Sequence, residues 1–252
     1  MIGQELVVKV GGEIALNFKE IVSRQIAELM DYYNIILVSS GAIRTAMREL
    51  GIDELPAELP EFYIERQYLS SVGQHLLMQN WQSAFSPYGI KIGQALVDRR
   101  NFDNSEERRY FMNLVDSHFK NRSLLIVNEN DAVAIEEILH GDNDFIAFYV
   151  AQAIGIDMII FTTEASGLLI NGRIVPELNK ENISEIEKTL GQYQEGQNDI
   201  SSKIEVVKQC MNIGSFGAIV SGSKDGEIFK AATGEECQGT TFGMRPNPIK
   251  YS

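Results

Sequence analysis

Two cysteines, Cys210 and Cys237, are too few in a 252-residue chain for a disulfide framework, although they leave room for a single bridge. The three histidines, His75, His118 and His140, are scattered without metal-ligand spacing, so none is expected to hold a metal or act as a base. Basic charge is scarce. Against 35 Asp and Glu stand 22 Lys and Arg, a net charge of −13 that repels nucleic acid and anionic membranes. Long apolar runs are missing, and residues 1–5 carry no basic flank ahead of a hydrophobic stretch. Neither a membrane span nor a signal peptide is expected, and a reducing cytoplasm fits the cysteine count. No G-x-G-x-x-G dinucleotide fingerprint and no EF-hand spacing occur. Residues 217–224 have the glycine spacing of a P-loop, but the closing Ser223-Lys224 pair is inverted, and no phosphate site is expected there.

What is present is a chain 44% hydrophobic and 23% charged, long enough to bury a large core in one α/β domain. Apolar runs of strand length at 6–10 and 35–38 flank a stretch at 18–33 with apolar residues at helical spacing. The alternation continues with helices near 42–50, 62–85, 106–119 and 145–154, and strands at 90–97, 124–127 and 158–162. It predicts a three-layer αβα sandwich around a mostly parallel sheet. Pro56 and Pro60 mark a loop, and Asn171-Gly172 reads as the two-residue turn of a hairpin. A helix at 202–211, a strand at 218–220 and a hairpin near 227–242 complete the expectation. The basic residues Arg99, Arg100, Arg108 and Arg109 read as a solvated helix face and its approach.

In open α/β sheets ligands bind at the carboxyl ends of strands, which directs attention to three loops. The first strand ends in Lys9-Val10-Gly11-Gly12, where glycines admit a close ligand and a lysine can neutralise phosphate; a tight turn beside a solvated lysine reads the same way. The second runs into Ser39-Ser40-Gly41-Ala42 at a helix start, where serines can cap the helix or free N–H groups can hold an anion. Two further clusters, Asn128-Glu129-Asn130-Asp131 after a strand and Gly141-Asp142-Asn143-Asp144 before a helix, make a receptor for a ligand bearing an ammonium and several hydrogen-bonding groups. Helix capping accounts for the second cluster alone, and a divalent-metal site competes for both.

These stretches, "VVKVGG" at 7–12, "ILVSSGAI" at 36–43, "SVGQHLLMQNWQSAF" at 71–85, "NENDAV" at 128–133, "GDND" at 141–144 and "TTEASGLL" at 162–169, with a weaker match through Lys203 to "GTTF" at 239–242, stand in an order that resembles the glutamate 5-kinase family of the amino-acid kinase superfamily. The resemblance implies a single amino-acid kinase domain over 1–252, with residues to about 160 holding the amino acid and about 161–252 the nucleotide. The RNA-modification-type domain that many members carry at the C-terminus is not expected in this chain. It implies ATP-dependent phosphorylation of the side-chain carboxylate of L-glutamate, with Mg2+, in proline biosynthesis, and a homo-oligomer. By motif, Ser40, Gly41, Asn128, Asp131, Asp142 and Asn143 would hold glutamate. Lys9, Gly11, Gly12, Thr163, Glu164 and Lys203 would hold the nucleotide, and Asp144 would orient the two lysines; no residue is assigned as a metal ligand.

The departures from the family pattern fall on the nucleotide side. Glu13 replaces the serine or threonine usual after the glycines, residues 196–200 lack the glycine-rich pattern, and Glu164 stands where an aspartate is usual. An amino-acid-binding pseudokinase or regulatory subunit, or a sister kinase for another carboxylate, carbamate or phosphate, therefore remains an alternative. Locally, Ser202-Lys203-Ile204-Glu205 reads as a capping box that places a cation at a helix N-terminus, a placement that makes sense if both share a bound phosphate.

Overall fold

The protein is described from a computed structural model over residues 4–55, 61–134, 143–156, 158–190 and 198–245. In chain order the elements are β1 (Gln4–Val10), α1 (Gly12–Asn17), α2 (Lys19–Leu29), β2 (Tyr33–Ser39), α3 (Ala42–Leu50), α4 (Glu61–Phe85), β3 (Ile92–Val97), α5 (Arg99–Asp103), α6 (Ser105–Lys120) and β4 (Leu124–Glu129). There follow α7 (Asp144–Ile154), β5 (Met158–Thr163), β6 (Leu169–Ile170), β7 (Arg173–Ile174), β8 (Glu177–Leu178), α8 (Ile183–Leu190), α9 (Asn198–Asn212), β9 (Phe216–Ser221), α10 (Glu227–Thr233) and β10 (Gly239–Phe242).

Eight strands form one sheet in the order β3-β4-β2-β1-β5-β9-β10-β8, parallel except where β10 runs against β9. The alternation of side chains along a strand divides the core in two. Leu6, Val8 and Val10 of β1 face a core shared with residues of α1, α2, α3, α4 and α10, whereas Val7 faces one shared with α5 to α9. The expected three-layer sandwich is therefore observed, with the central strands buried on both faces. No helix among the described residues is long and apolar enough to cross a membrane. The two cysteines are not joined. Arg99, Arg100 and Arg109 pair with neighbouring acids on the surface, as a solvated face does. The β6–β7 hairpin turns through Asn171 and Gly172 at φ 52° and 73°.

Four expectations are corrected. The helix expected over 18–33 is α2, which stops at Leu29; a separate short helix, α1, precedes that stretch, and Tyr33 already belongs to β2. The helix expected at 106–119 is preceded by a separate short one, α5, whose N-terminus is capped by a capping box between Asp98 and Asn101. The hairpin near 227–242 is instead a helix, α10, followed by β10, which pairs with β9. Its buried residues Ile228, Ala231 and Ala232 lie on one helical face, and its start is capped from afar by Gln25 of α2, whose Oε1 accepts from the backbone N of Ile228 and Phe229. Finally, no serine caps α3: the N-cap is Gly41, at φ 112°.

Candidate active site

The strand period that sends Val7 toward α7 and α9 sends Lys9 the same way. Its Nζ lies 2.6 Å from Oδ1 of Asp144, the first residue of α7, and the other carboxylate oxygen accepts from Nζ of Lys203 on α9. Side-chain exposure is 0% for Asp144, 5% for Lys9 and 12% for Lys203. Residues 9, 144 and 203 thus converge as two cations on one buried anion. An acid in the first turn also suits the positive end of α7, so the helix and both lysines favour ionised Asp144. The ammonium of Lys203 lies 5.6 Å from the centroid of the Phe161 ring, which supports it from the sheet side. One expectation fails here. α9 begins at Asn198, so Ser202 is no N-cap and Lys203 sits in the second turn rather than at the helix end.

Beside this bridge a cavity of about 750 Å³ opens at the carboxyl ends of β1, β2, β4 and β5. Lys9, Gly11, Gly12, Ser40, Gly41, Asn128, Asp131, Asn143, Thr163, Glu164 and Lys203 all line it. Asp144 lies behind the two lysines; Asp142 falls outside the described residues, as does His140. A buried amide network forms one wall. Asn143 Nδ2 donates to Asn128 Oδ1 at 2.6 Å and to the Ser39 carbonyl at 3.1 Å, and Asn128 Nδ2 donates to Gln74 Oε1 at 2.7 Å. Asn143 therefore does not cap α7 with its side chain but ties two strand ends together.

The loop after β2 is held from below. The indole of Trp81, fully buried, donates to Ser39 Oγ at 2.9 Å. Positive φ at Gly41 and its closeness to Gly12, where an added Cβ would stand 3.3 Å from Gly41 Cα, bring the loops after β1 and β2 edge to edge. On α4, Gly73 packs so tightly on α3 that a Cβ there would come within 1.8 Å of the Ala42 carbonyl oxygen.

Glu13 would oppose a polyphosphate if its charge stood bare. It does not, because its carboxylate is bonded to Arg44 of α3 and accepts from Asn17 Nδ2 at 3.0 Å. The stem of Arg44 lies over Gly12, with Cδ 3.3 Å from where a Cβ would be. Thr163 Oγ1 donates to the Ala165 carbonyl, and Thr162 Oγ1 is buried at the cavity without a hydrogen-bond partner among the described residues. Glu164 is exposed. Cys210 is buried in α9, and burial, reinforced by the charge of Asp144, pushes its thiol up to about 12, which makes it inert rather than nucleophilic.

Sequence reading missed Gln74, Arg44 and Arg66, all of which touch the cavity or its walls. Gln74 had a usable signal: with Gln67 it makes an i, i+7 pair on α4, and Gln67 Nε2 donates to the Ala132 carbonyl of the loop that carries Asp131. Arg44 and Arg66, single arginines on α3 and α4, carry no comparable local signal.

Residues 4–215 match the Amino acid kinase family. Among curated proteins the chain is similar to the glutamate 5-kinase of Caldanaerobacter subterraneus, at 34% identity over 97% of this chain and 69% of that one. It is also similar to the glutamate 5-kinase of Vibrio campbellii, at 36% over 92% and 63%, and to glutamate 5-kinase 2 of Bacillus subtilis, at 34% over 96% and 66%. The chain thus spans roughly two thirds of the length of these relatives. Among solved structures, N-acetylglutamate synthase of Neisseria gonorrhoeae matches with a TM-score of 0.71 at 11% identity, over 98% of this chain and 61% of that one. Carbamate kinase of Giardia lamblia matches with 0.62 at 15%, over 96% and 98%. These two carry the fold only. Sequence relatives of this closeness, set on a fold whose strand ends gather the same motifs around one cavity, leave a single conclusion: the chain belongs to the amino acid kinase family, among the glutamate 5-kinases.

Proposed function

We propose that the protein transfers the terminal phosphoryl group of ATP to the side-chain carboxylate of L-glutamate, giving L-glutamyl 5-phosphate and ADP, as the first step of proline biosynthesis. One observation carries this reading: two lysines held by one buried aspartate face the same cavity as an amide network built for a small polar ligand. A carboxylate has a reference pKa near 4.3, so the nucleophile is already ionised at neutral pH and needs no base. A carboxylate oxygen forms a bond to the phosphorus while the bond to the bridging oxygen of ADP breaks. The obstacle is repulsion between two anions, and Lys9 and Lys203 offset it as charge spreads over the phosphoryl oxygens. Asp144 fixes both ammonium groups in place before the nucleotide arrives.

In this reading Gly11 and Gly12 offer backbone N–H groups to phosphate, and Thr163 and Glu164 approach the nucleotide from residues 161–252. Ser40, Gly41, Asn128, Asp131, Asp142 and Asn143, from residues 1–160, hold the amino acid. Mg2+ enters with ATP, supplying charge neutralisation on the phosphates. The protein acts in the cytoplasm as a homo-oligomer. Apolar side chains exposed on α4, Ile64 and Tyr68, and Leu96 on the edge strand β3 supply a surface for self-association.

The deciding assay is ATP-dependent formation of γ-glutamyl hydroxamate from purified protein, glutamate, Mg2+ and hydroxylamine. Product is expected only with all components present. A folded sample that binds glutamate but neither binds ATP nor forms product would show the pseudokinase reading to be the right one.

A further inference from the structure

Glutamate brings two carboxylates and one ammonium, and every residue so far placed around it is neutral or acidic. Asn128 and Asn143 are amides, and Asp131 suits the ammonium. No side chain among them is a cation, and the α-carboxylate would enter a cavity already lined by Glu13, Asp53, Glu54, Glu129, Asp131 and Glu164. Four cations line the same cavity: Lys9, Arg44, Arg66 and Lys203. Lys9 and Lys203 share Asp144, and Arg44 is bonded to Glu13. Arg66 has no carboxylate partner among the described residues, and its Nε is buried without a hydrogen bond.

We propose that Arg66 receives the α-carboxylate of the amino-acid substrate and so sets the specificity for an α-amino acid. This rests on the reading of glutamate as substrate. Arg66 is placed for the task by α4. It stands eight residues before Gln74, on the same helical stripe, roughly 12 Å along the axis from the residue that holds Asn128. The next residue, Gln67, fastens that end of α4 to the loop bearing Asp131. The guanidinium carbon lies 5.3 Å from the centroid of the Phe62 ring, which steadies the side chain on one face without occupying its N–H donors. A planar fork with unused donors at the cavity wall matches a carboxylate in two parallel hydrogen bonds. An Nε buried without a partner is costly in the empty site, and a carboxylate would remove that cost.

The test is calorimetric binding of L-glutamate and of 4-aminobutanoate, which keeps the reacting carboxylate and the ammonium but lacks the α-carboxylate. Arg66→Ala is expected to weaken glutamate binding by about tenfold to a hundredfold and to leave 4-aminobutanoate binding within about twofold of wild type. Arg66→Lys is expected to recover part of the loss, since it restores charge without the fork. Equal weakening of both ligands, or none of glutamate, would overturn the proposal. Should Arg66→Ala not fold, Arg66→Gln gives the same comparison with the side-chain volume kept. Because binding is read rather than turnover, a protein that binds glutamate without phosphorylating it sinks the proposed reaction and still decides on Arg66.

Discussion

At the scale of single residues the site depends on Asp144, which serves two lysines from one buried position. Asp144→Asn keeps the shape and removes the charge, leaving two ammonium groups close together in a dry environment. Loss of a buried ion partner costs about 3–5 kcal/mol, so denaturant unfolding should show a fall of that order. In a sample that remains folded, kcat should fall by about a hundredfold or more, since the lysines lose their fixed geometry. Unchanged kcat in the folded variant would refute the orienting role. The residues of this bridge were legible in the sequence because each sits in a short motif at a strand or helix end. The carboxylate that links Lys9 to Lys203 spans 135 and 59 positions, however, and no local pattern announces contacts of that reach. Arg66 was not legible for a different reason: a single arginine near a helix start carries no local signal, and only the folded cavity shows its Nε buried without a hydrogen bond among the described residues.

At the scale of elements, α3 and α4 behave as one body. The contact at Gly73, where a Cβ would come within 1.8 Å of a backbone oxygen of Ala42, leaves no side chain that could move aside. Gly73→Ala should therefore lower the unfolding free energy by about 3 kcal/mol, at the upper end of overpacking costs. Because Ala42 opens α3 next to Ser40 and Gly41, the same change should raise the KM for glutamate more than that for ATP. Parallel changes in both constants would count against it. Most helices and strands were legible from their periods: α3 and α4 fall within a residue of expectation, and the expected strands gain one to three residues at their ends or lose a couple. The short helices α1, α5 and α8 had no counterpart in the expectation, and α10, expected as part of a hairpin, is bounded by Gly226 and Gly234 and held by Gln25 from 203 residues away. Its start signal lies in another part of the chain, beyond the reach of any local pattern.

At the scale of the whole molecule, the sheet joins two halves of the chain whose motifs meet only when folded. Ile64 and Tyr68 are 61% and 50% exposed one helical turn apart, and Leu96 is 40% exposed on the edge strand β3. Light scattering should give a mass that is a multiple of 28.2 kDa, and the double change Ile64→Lys with Tyr68→Glu should reduce it to that of one chain. A monomer in the unaltered protein would dismiss the assembly. The shared carboxylate has one more consequence. Each of its oxygens holds one lysine, so the two ammonium groups are restrained by one shared, rigid carboxylate. The pair should then act as a gauge, the expectation being that an anion is judged by the distance between its oxygens as well as by its charge. A ligand offering two oxygens at the right spacing engages both arms, and one offering a single oxygen engages only one. Salt weakens attraction between distant charges far more than contact between buried ones, so selection by spacing should persist at ionic strengths where selection by charge has faded.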